Sequence, residues 1–227
     1  MHKSPHIREF SKNSKYYEKY SFLQKNIAKE LLKEIDNKPK KILDLGCGNG
    51  IIFSLIDWKV EKFVGIDFSK EMLSLHPKNK NITLLEKDFD LIEGDYYQDF
   101  DLVVSSSSLQ WSKNIFKMIN NIQKNSKNFL LAFYCDKTFV SLRKWLGIDT
   151  FLPNVKDIIK SLDEDVSYET KMIYLEFEDA LSQLRYIKKS GVSGGVKRVS
   201  TQNLRQFIKQ YKNNKLEFEV IFISRIL

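Results

Sequence analysis

Cysteine is scarce. The chain has 227 residues and two cysteines, Cys47 and Cys135, which stand far apart and in no metal-ligand spacing. That count excludes a disulfide framework and gives no sign of a metal site. Reduced thiols fit a cytoplasmic protein, and no metal is expected. Long apolar runs are also missing: none approaches the roughly 18 residues of a membrane helix. The opening stretch MHKSPHIREFSKNSKYY has no apolar segment of the secretory kind. Glycine (9) and proline (4) are few, which excludes collagen-like and low-complexity classes. Histidine occurs three times, at His2, His6 and His76, outside every motif discussed below. No Ser-His-Asp or Cys-His set is apparent.

What remains is an ordinary globular composition, 42% apolar and 29% charged. The length suits one domain with elaborations and a sizeable single core. The net charge is +8. Such a balance suits an acidic partner or a nucleic acid, but a chain rich in Lys, Asn and Ile carries it as a matter of composition. The lysines are scattered and not gathered into a tail.

Apolar residues at Tyr16, Tyr20, Leu23, Ile27, Leu31 and Ile35 are spaced by three or four, which predicts an amphipathic helix over 11–36 that Pro39 closes. Short apolar runs then alternate with helical stretches. Strands are predicted at 41–45, 62–67, 81–88, 100–106 and 128–135, with helices from Ile51, from Ser69 as N-cap, and over 112–125. The fourth run, FDLVVSS, is apolar on both faces, as in the core of a parallel sheet. Strand–helix alternation of this kind predicts a doubly wound α/β sheet. Beyond Cys135 the pattern changes to helices near 138–146 and 154–162, a strand at 167–177, helices at 178–190 and 201–212, and a last strand at 217–227.

Residues 42–50 read ILDLGCGNG. The turn is neither a P-loop, since no Lys-Ser/Thr follows, nor the G-x-G-x-x-G dinucleotide fingerprint, since Gly46, Gly48 and Gly50 alternate. Asp44 just before it would repel a pyrophosphate. A zwitterion suits it better: glycine backbone allows close approach, the following helix start favours a carboxylate, and Asp44 balances an ammonium. An amino acid joined to a nucleoside meets all three conditions. Asp67, ending the second strand, stands where acids in nucleotide sites of this topology accept ribose hydroxyls. Asp88 would take the adenine amino group, with Phe89 on one ring face and Met72 on the other.

The stretches LDLGCGNG, GIDFSKEML, EKDF and FDLVVSSSSLQW resemble the class I S-adenosylmethionine-dependent methyltransferases. The resemblance implies a seven-stranded sheet whose last strand, EFEVIFISRIL, is antiparallel. It implies S-adenosylmethionine as cofactor, and it adds Phe68 and Ser105 to the cofactor-binding residues.

The flanks carry the substrate. No N/D-P-P-Y/F stretch is present to grip an exocyclic amine, and neither cysteine sits in a Pro-Cys context, which argues against nucleic acid. Four stretches resemble the malonyl-acyl-carrier-protein O-methyltransferase family of biotin synthesis: FSKNSKYYEKYSFLQKNIAKELL with Tyr17, SSSSLQW with Trp111, FLP at 151–153, and FEDALSQLRYIKKSGVSGG with Arg185 and Lys188. The chain departs from that family at Asn13, Ser14 and Val192, where alanines are usual, and in a short loop after Asp88. A single domain is expected, with an N-terminal helical cap (1–38), a cofactor core (40–135), a lid and substrate insertion (136–200) and a closing helix and strand (201–227), and a monomer is expected, although the sequence does not give the oligomeric state. Its partner would be a malonylated acyl-carrier protein. A malonyl carboxylate is ionised at neutral pH and needs no base, but it needs a cation to hold it, for which Arg185 offers a planar fork with Lys188 a turn away. The alternatives are another small carboxylate or RNA as acceptor, or a silent cofactor-binding subunit.

Overall fold

The computed structural model describes residues 21–190 and 199–227. Helix α1 (Phe22–Leu31) precedes β1 (Lys41–Leu45), α2 (Ile51–Leu55), β2 (Lys62–Asp67), α3 (Lys70–Leu75) and β3 (Ile82–Glu86). Then follow β4 (Leu102–Ser106), α4 (Ile115–Asn125), β5 (Phe129–Tyr134), α5 (Val140–Leu146) and α6 (Val155–Lys160). The chain closes with β6 (Ser167–Glu176), α7 (Ala180–Ser190), α8 (Thr201–Gln210) and β7 (Lys215–Arg225).

The strands form one sheet of seven in the order β3-β2-β1-β4-β5-β7-β6. The first five run parallel, and β7 lies antiparallel between β5 and β6. This is the predicted doubly wound α/β sheet with its last strand reversed. Strand β6 pairs with β7 along its whole length, so the stretch after Cys135 completes the sheet as well as carrying helices. Chain order reverses direction at β1 and β4, and the carboxyl ends of those strands open the crevice where ligands bind in such sheets.

Side chains alternate across the strands and build two cores. Ile42, Val104, Leu130, Ala132, Val220 and Phe222 face the layer that includes α1, α5, α7 and α8. Leu43, Val103, Leu131, Phe133 and Ile221 face the layer that includes α4 and α6. Asp44 shares its parity with Ile42 and so points toward the α1 side. Helix α4 shows the amphipathic logic plainly: Ile115, Met118, Ile119 and Ile122 are buried, and Asn114 caps it by accepting from the Lys117 N–H. Among the described residues no helix is long and apolar enough to cross a membrane.

The packing yields a contrast to measure. Ile119 is fully buried, while Phe116 on the same helix is 43% exposed. Ile119→Ala should cost about 2–5 kcal/mol in urea unfolding. Phe116→Ala should cost less than about 1 kcal/mol. Similar losses for both would contradict this orientation of α4.

Candidate functional site

Strand β1 ends in a turn that folds back on β2. The Gly46 and Cys47 N–H groups both donate to the Ile66 carbonyl, at 2.8 and 3.0 Å, and Gly50 N–H returns to the Cys47 carbonyl at 2.9 Å. Gly46, Gly48 and Gly50 all have positive φ, 73°, 54° and 84°, which explains the alternate glycines. At Gly46 space matters as well: a Cβ there would lie 2.4 Å from the Ser108 Cβ. The helix after the turn, α2, is only five residues long, so it contributes its first N–H groups and little dipole.

Asp67 is the second anchor. Its carboxylate accepts the Gly48 N–H at 3.0 Å and the Ser69 N–H at 2.8 Å, and it is 8% exposed. Burial raises its pKa from 3.8 to about 6, against the lowering effect of those N–H groups. Asp44 is 1% exposed and its Oδ2 has no hydrogen-bond partner among the described residues. Burial, and then the charge of Asp67, push its carboxyl well above the usual range. Two acids held in dry surroundings favour a ligand that brings positive charge and donors.

Strand β4 supplies the facing wall. A small cavity of about 40 Å³ is lined by Gly46, Gly48, Asp67, Phe68, Met72, Phe89, the serines 106–108 and Trp111. A second, of about 30 Å³, lies beside the turn and is lined by Gln24, Asp44, Asn49 and Ser106, among others. The two share Gly46, Gly48 and Ser106 and so adjoin at the turn. Ser69 caps α3 as expected, accepting from the Met72 N–H at 3.3 Å. Ser107 holds a left-handed φ of 58°, and its carbonyl accepts from the Gln110 side-chain amide at 2.8 Å. Trp111 stacks on Phe151, their rings 5.1 Å apart, which brings the FLP stretch to the rim. A broader surface groove of about 340 Å³ lies at the opposite end of the sheet, by Pro39, Asp101 and Asn128; it has no glycine turn and no buried acid.

The structure thus gathers Asp44, the three glycines, Asp67, Phe68, Met72, Phe89 and Trp111 around one turn. Other expected residues sit differently. Ser105 is fully buried and lines neither cavity; its hydroxyl bonds the Leu45 carbonyl at 2.7 Å and ties β4 to the turn. Its neighbours Ser106, Ser107 and Ser108 line the cavity instead. Asp88 lies beyond the end of β3, pairs with Lys113 at 2.7 Å and accepts the Asp90 N–H, so its carboxylate is turned to the surface. Arg185 and Lys188 are exposed on α7 and line neither cavity. Tyr17, Asn13, Ser14, Val192 and the glycine break at 191–195 lie outside the described residues. Both cysteines are free and buried, with their thiol pKa values pushed up. Gln24 and Asn49 were not anticipated. Gln24 was legible only as a polar residue inside the apolar stripe of α1.

Comparison with known proteins gives this geometry its class. A family model described as a methyltransferase domain matches residues 36–161. The malonyl-[acyl-carrier protein] O-methyltransferase of Acetivibrio thermocellus is 28% identical over 237 residues, covering 89% of this chain and 84% of that protein. The protein of that name from Bacteroides thetaiotaomicron is 25% identical over 209 residues, covering 86% and 79%. The ribosomal RNA small subunit methyltransferase A of Mesomycoplasma hyopneumoniae is 26% identical, over 48% of this chain and 43% of that protein. Among solved structures, a putative methyltransferase of Haloferax volcanii, in complex with a methyltransferase activator, matches with a TM-score of 0.62 at 15% identity, over 100% of both chains. The plantazolicin methyltransferase in complex with S-adenosylhomocysteine matches at 0.54 and 14% identity, over 97% of this chain and 89% of that one.

The acids set a pH dependence. The rise of the Asp67 pKa from 3.8 to about 6 corresponds to roughly 3 kcal/mol. In the free protein that cost is absent below about pH 4 and complete above about pH 6, so this group lowers stability as pH rises between them. A ligand whose hydroxyls donate to Asp67 holds it ionised, and its binding releases the proton. Calorimetric affinity for S-adenosylhomocysteine should therefore climb with pH up to about 6 and then level off. A flat profile across that range would remove Asp67 from the ribose site.

Proposed function

From a chain that belongs to the methyltransferase-domain family, and is an S-adenosylmethionine-dependent enzyme, we propose a specific reaction: methylation of the free carboxylate of a malonyl group carried on acyl-carrier protein. The observation that carries this reading is the nature of the titratable groups at the site. Among the described residues, those lining the two cavities offer Asp44, Asp67 and Cys47. Asp67 is committed to two N–H groups, and the thiol of Cys47 is held protonated by burial and the nearby acids. His76 is buried, bonded to the Pro77 carbonyl, and kept neutral by burial. Asp44, whose Oδ2 has no partner among the described residues, is assigned here to the cofactor's ammonium, which leaves none of these as a free base beside the acceptor. An acceptor that arrives already ionised needs none, and a carboxylate does so at neutral pH.

The cofactor, when bound, supplies an electrophilic methyl on a sulfonium centre. The protein's part is then to align and desolvate the acceptor. The acids and glycine turn hold the nucleoside and amino-acid ends, Met72 and Phe89 offer apolar surfaces to a flat ring, and the Trp111–Phe151 stack closes the rim against water. The malonyl carboxylate requires a cation. The resemblance of LRYIKKSG assigns it to Arg185, and the exposed position of Arg185 on α7 leaves it accessible to a substrate delivered by a carrier protein. The similarity to proteins named for this activity across most of the chain supports the acceptor. By the same resemblance, the methyl ester would serve pimeloyl and biotin synthesis.

Turnover with radiolabelled S-adenosylmethionine tests the reading against its rivals. Malonyl-acyl-carrier protein should accept label as a base-labile ester. Label in ribosomal RNA instead would favour RNA as acceptor, and no turnover on any acceptor would leave a silent binding subunit. Arg185→Ala should lower kcat/KM for the malonyl substrate by about 1.5–3 kcal/mol of transition-state stabilisation and leave cofactor affinity unchanged. Arg185→Lys should recover part of it, because an ammonium lacks the planar fork. Unchanged kinetics in Arg185→Ala would transfer the role to Lys188 or to another cation.

A further inference from the structure

The buried face of α1 is apolar at Leu23, Ile27, Ala28 and Leu31 and polar at one position, Gln24, which is 4% exposed. A buried amide is costly unless its groups are bonded. Here the nitrogen is bonded: Nε2 donates to the backbone carbonyl of Ser190, the last residue of α7, at 3.4 Å. A carbonyl only accepts, so this contact fixes the amide with nitrogen toward Ser190 and oxygen away from it. The oxygen, Oε1, is buried without a partner among the described residues.

Gln24 also lines the cavity beside the glycine turn, together with Asp44, Asn49 and Ser106. Asp44 Oδ2, Asn49 Oδ1 and Ser106 Oγ are likewise buried and without partners among the described residues. Of these four unpartnered atoms three can only accept, and only the Ser106 hydroxyl can also donate. The group that satisfies them is small, positive and rich in N–H. An ammonium has three donors and no acceptor, and the cofactor carries one on its amino-acid end.

We propose that Gln24 is a positioning residue: its side-chain oxygen accepts a hydrogen bond from the cofactor's ammonium while its side-chain nitrogen holds the Ser190 carbonyl, so that filling the cofactor site fixes the last turn of α7. Ser190 is 1% exposed and its hydroxyl bonds the Ile187 carbonyl, so this turn is packed and able to transmit the constraint. Binding at one end and order at the other are then linked reciprocally. Cofactor would bind first, and the helix that presents Arg185 and Lys188 would be set before the acceptor arrives. The inference rests on the cofactor class alone and is independent of which carboxylate accepts the methyl.

Two nucleosides separate the contributions. S-adenosylhomocysteine carries the ammonium, and 5′-methylthioadenosine lacks the amino-acid end. In the wild-type protein, S-adenosylhomocysteine should slow hydrogen exchange of the α7 amides from Ile187 to Ser190, and methylthioadenosine should not. Gln24→Met keeps the side-chain length and removes both polar atoms. It should weaken S-adenosylhomocysteine roughly tenfold or more, the scale of a hydrogen bond to a charged group. It should leave methylthioadenosine affinity unchanged and abolish the protection of α7. Equal loss for both nucleosides would make Gln24 a structural residue, and full S-adenosylhomocysteine affinity would remove its oxygen from the site. Equal protection of α7 by both nucleosides in the wild type would overturn the coupling without any variant having to fold.

Discussion

Two carboxylates buried at one glycine turn govern the architecture of this protein. Asp44 and Asp67 lie at the carboxyl ends of adjacent parallel strands, and each is nearly closed to water. Unfavourable in isolation, they are made tolerable in different ways. Asp67 shares its charge with two backbone N–H groups, one of which exists only because the turn doubles back at Gly48. Asp44 keeps an unpartnered oxygen and a raised pKa. The surrounding structure holds this imbalance in place: the positive φ angles of the turn, the contacts of Ser105 and Ser108 to the Leu45 carbonyl, and α1 laid over the same face. On the proposed reading, a cationic, donor-rich ligand would relieve it.

Much of this was legible in the sequence, for physical reasons that differ by residue. The first five strands were visible because their apolar runs are short, bounded and β-rich, β6 because its residues alternate and β7 because its run is long, and the boundaries moved by two residues or fewer at the strand ends. Asp44 and Asp67 were visible because a carboxylate at the end of an apolar strand has little reason to be there except a ligand or a cap. Phe89 and Met72 followed from their offsets from those strand ends. Ser105 lies behind the cavity lining, and β4 is buried on both faces: with no alternation of polarity, nothing in SSSS says which hydroxyl lines the cavity. The surface position of Asp88 was illegible for a related reason. Strand β3 stops at Glu86, so the next acid falls in a 3₁₀ turn where Asp90 and Lys113 claim it.

The acceptor side was less legible because its residues sit on helices. A helix pattern gives the buried face, but not which exposed residues a neighbour or a ligand will reach. Arg185 is predicted on a helix and found on one, yet it is exposed and lines neither cavity. Gln24 shows the opposite failure: it lies on the buried face, where an amphipathic reading registers apolar positions and passes over a single amide. Polar residues that interrupt a buried stripe are therefore a signal of the same kind as acids at strand ends.

The basic balance of the chain bears on the acceptor as well. The salt bridges of the described residues are mostly exposed; even Lys113–Asp88, at 2.7 Å, has a lysine side chain that is 74% exposed, and such pairs contribute little to stability. The excess of eight positive charges is therefore available as a surface field more than as a structural device. A field of this kind acts on approach and decays within about 8–10 Å at physiological ionic strength. It neither chooses the atom methylated nor holds it, which are the work of the site. It favours acidic partners over neutral ones, and an acceptor carried on an acidic protein would reach the enzyme faster than the same acceptor free in solution. Attraction by the field and binding at the glycine turn are then separable: the first weakens as salt is added, while the second, where the acids are buried, is screened much less.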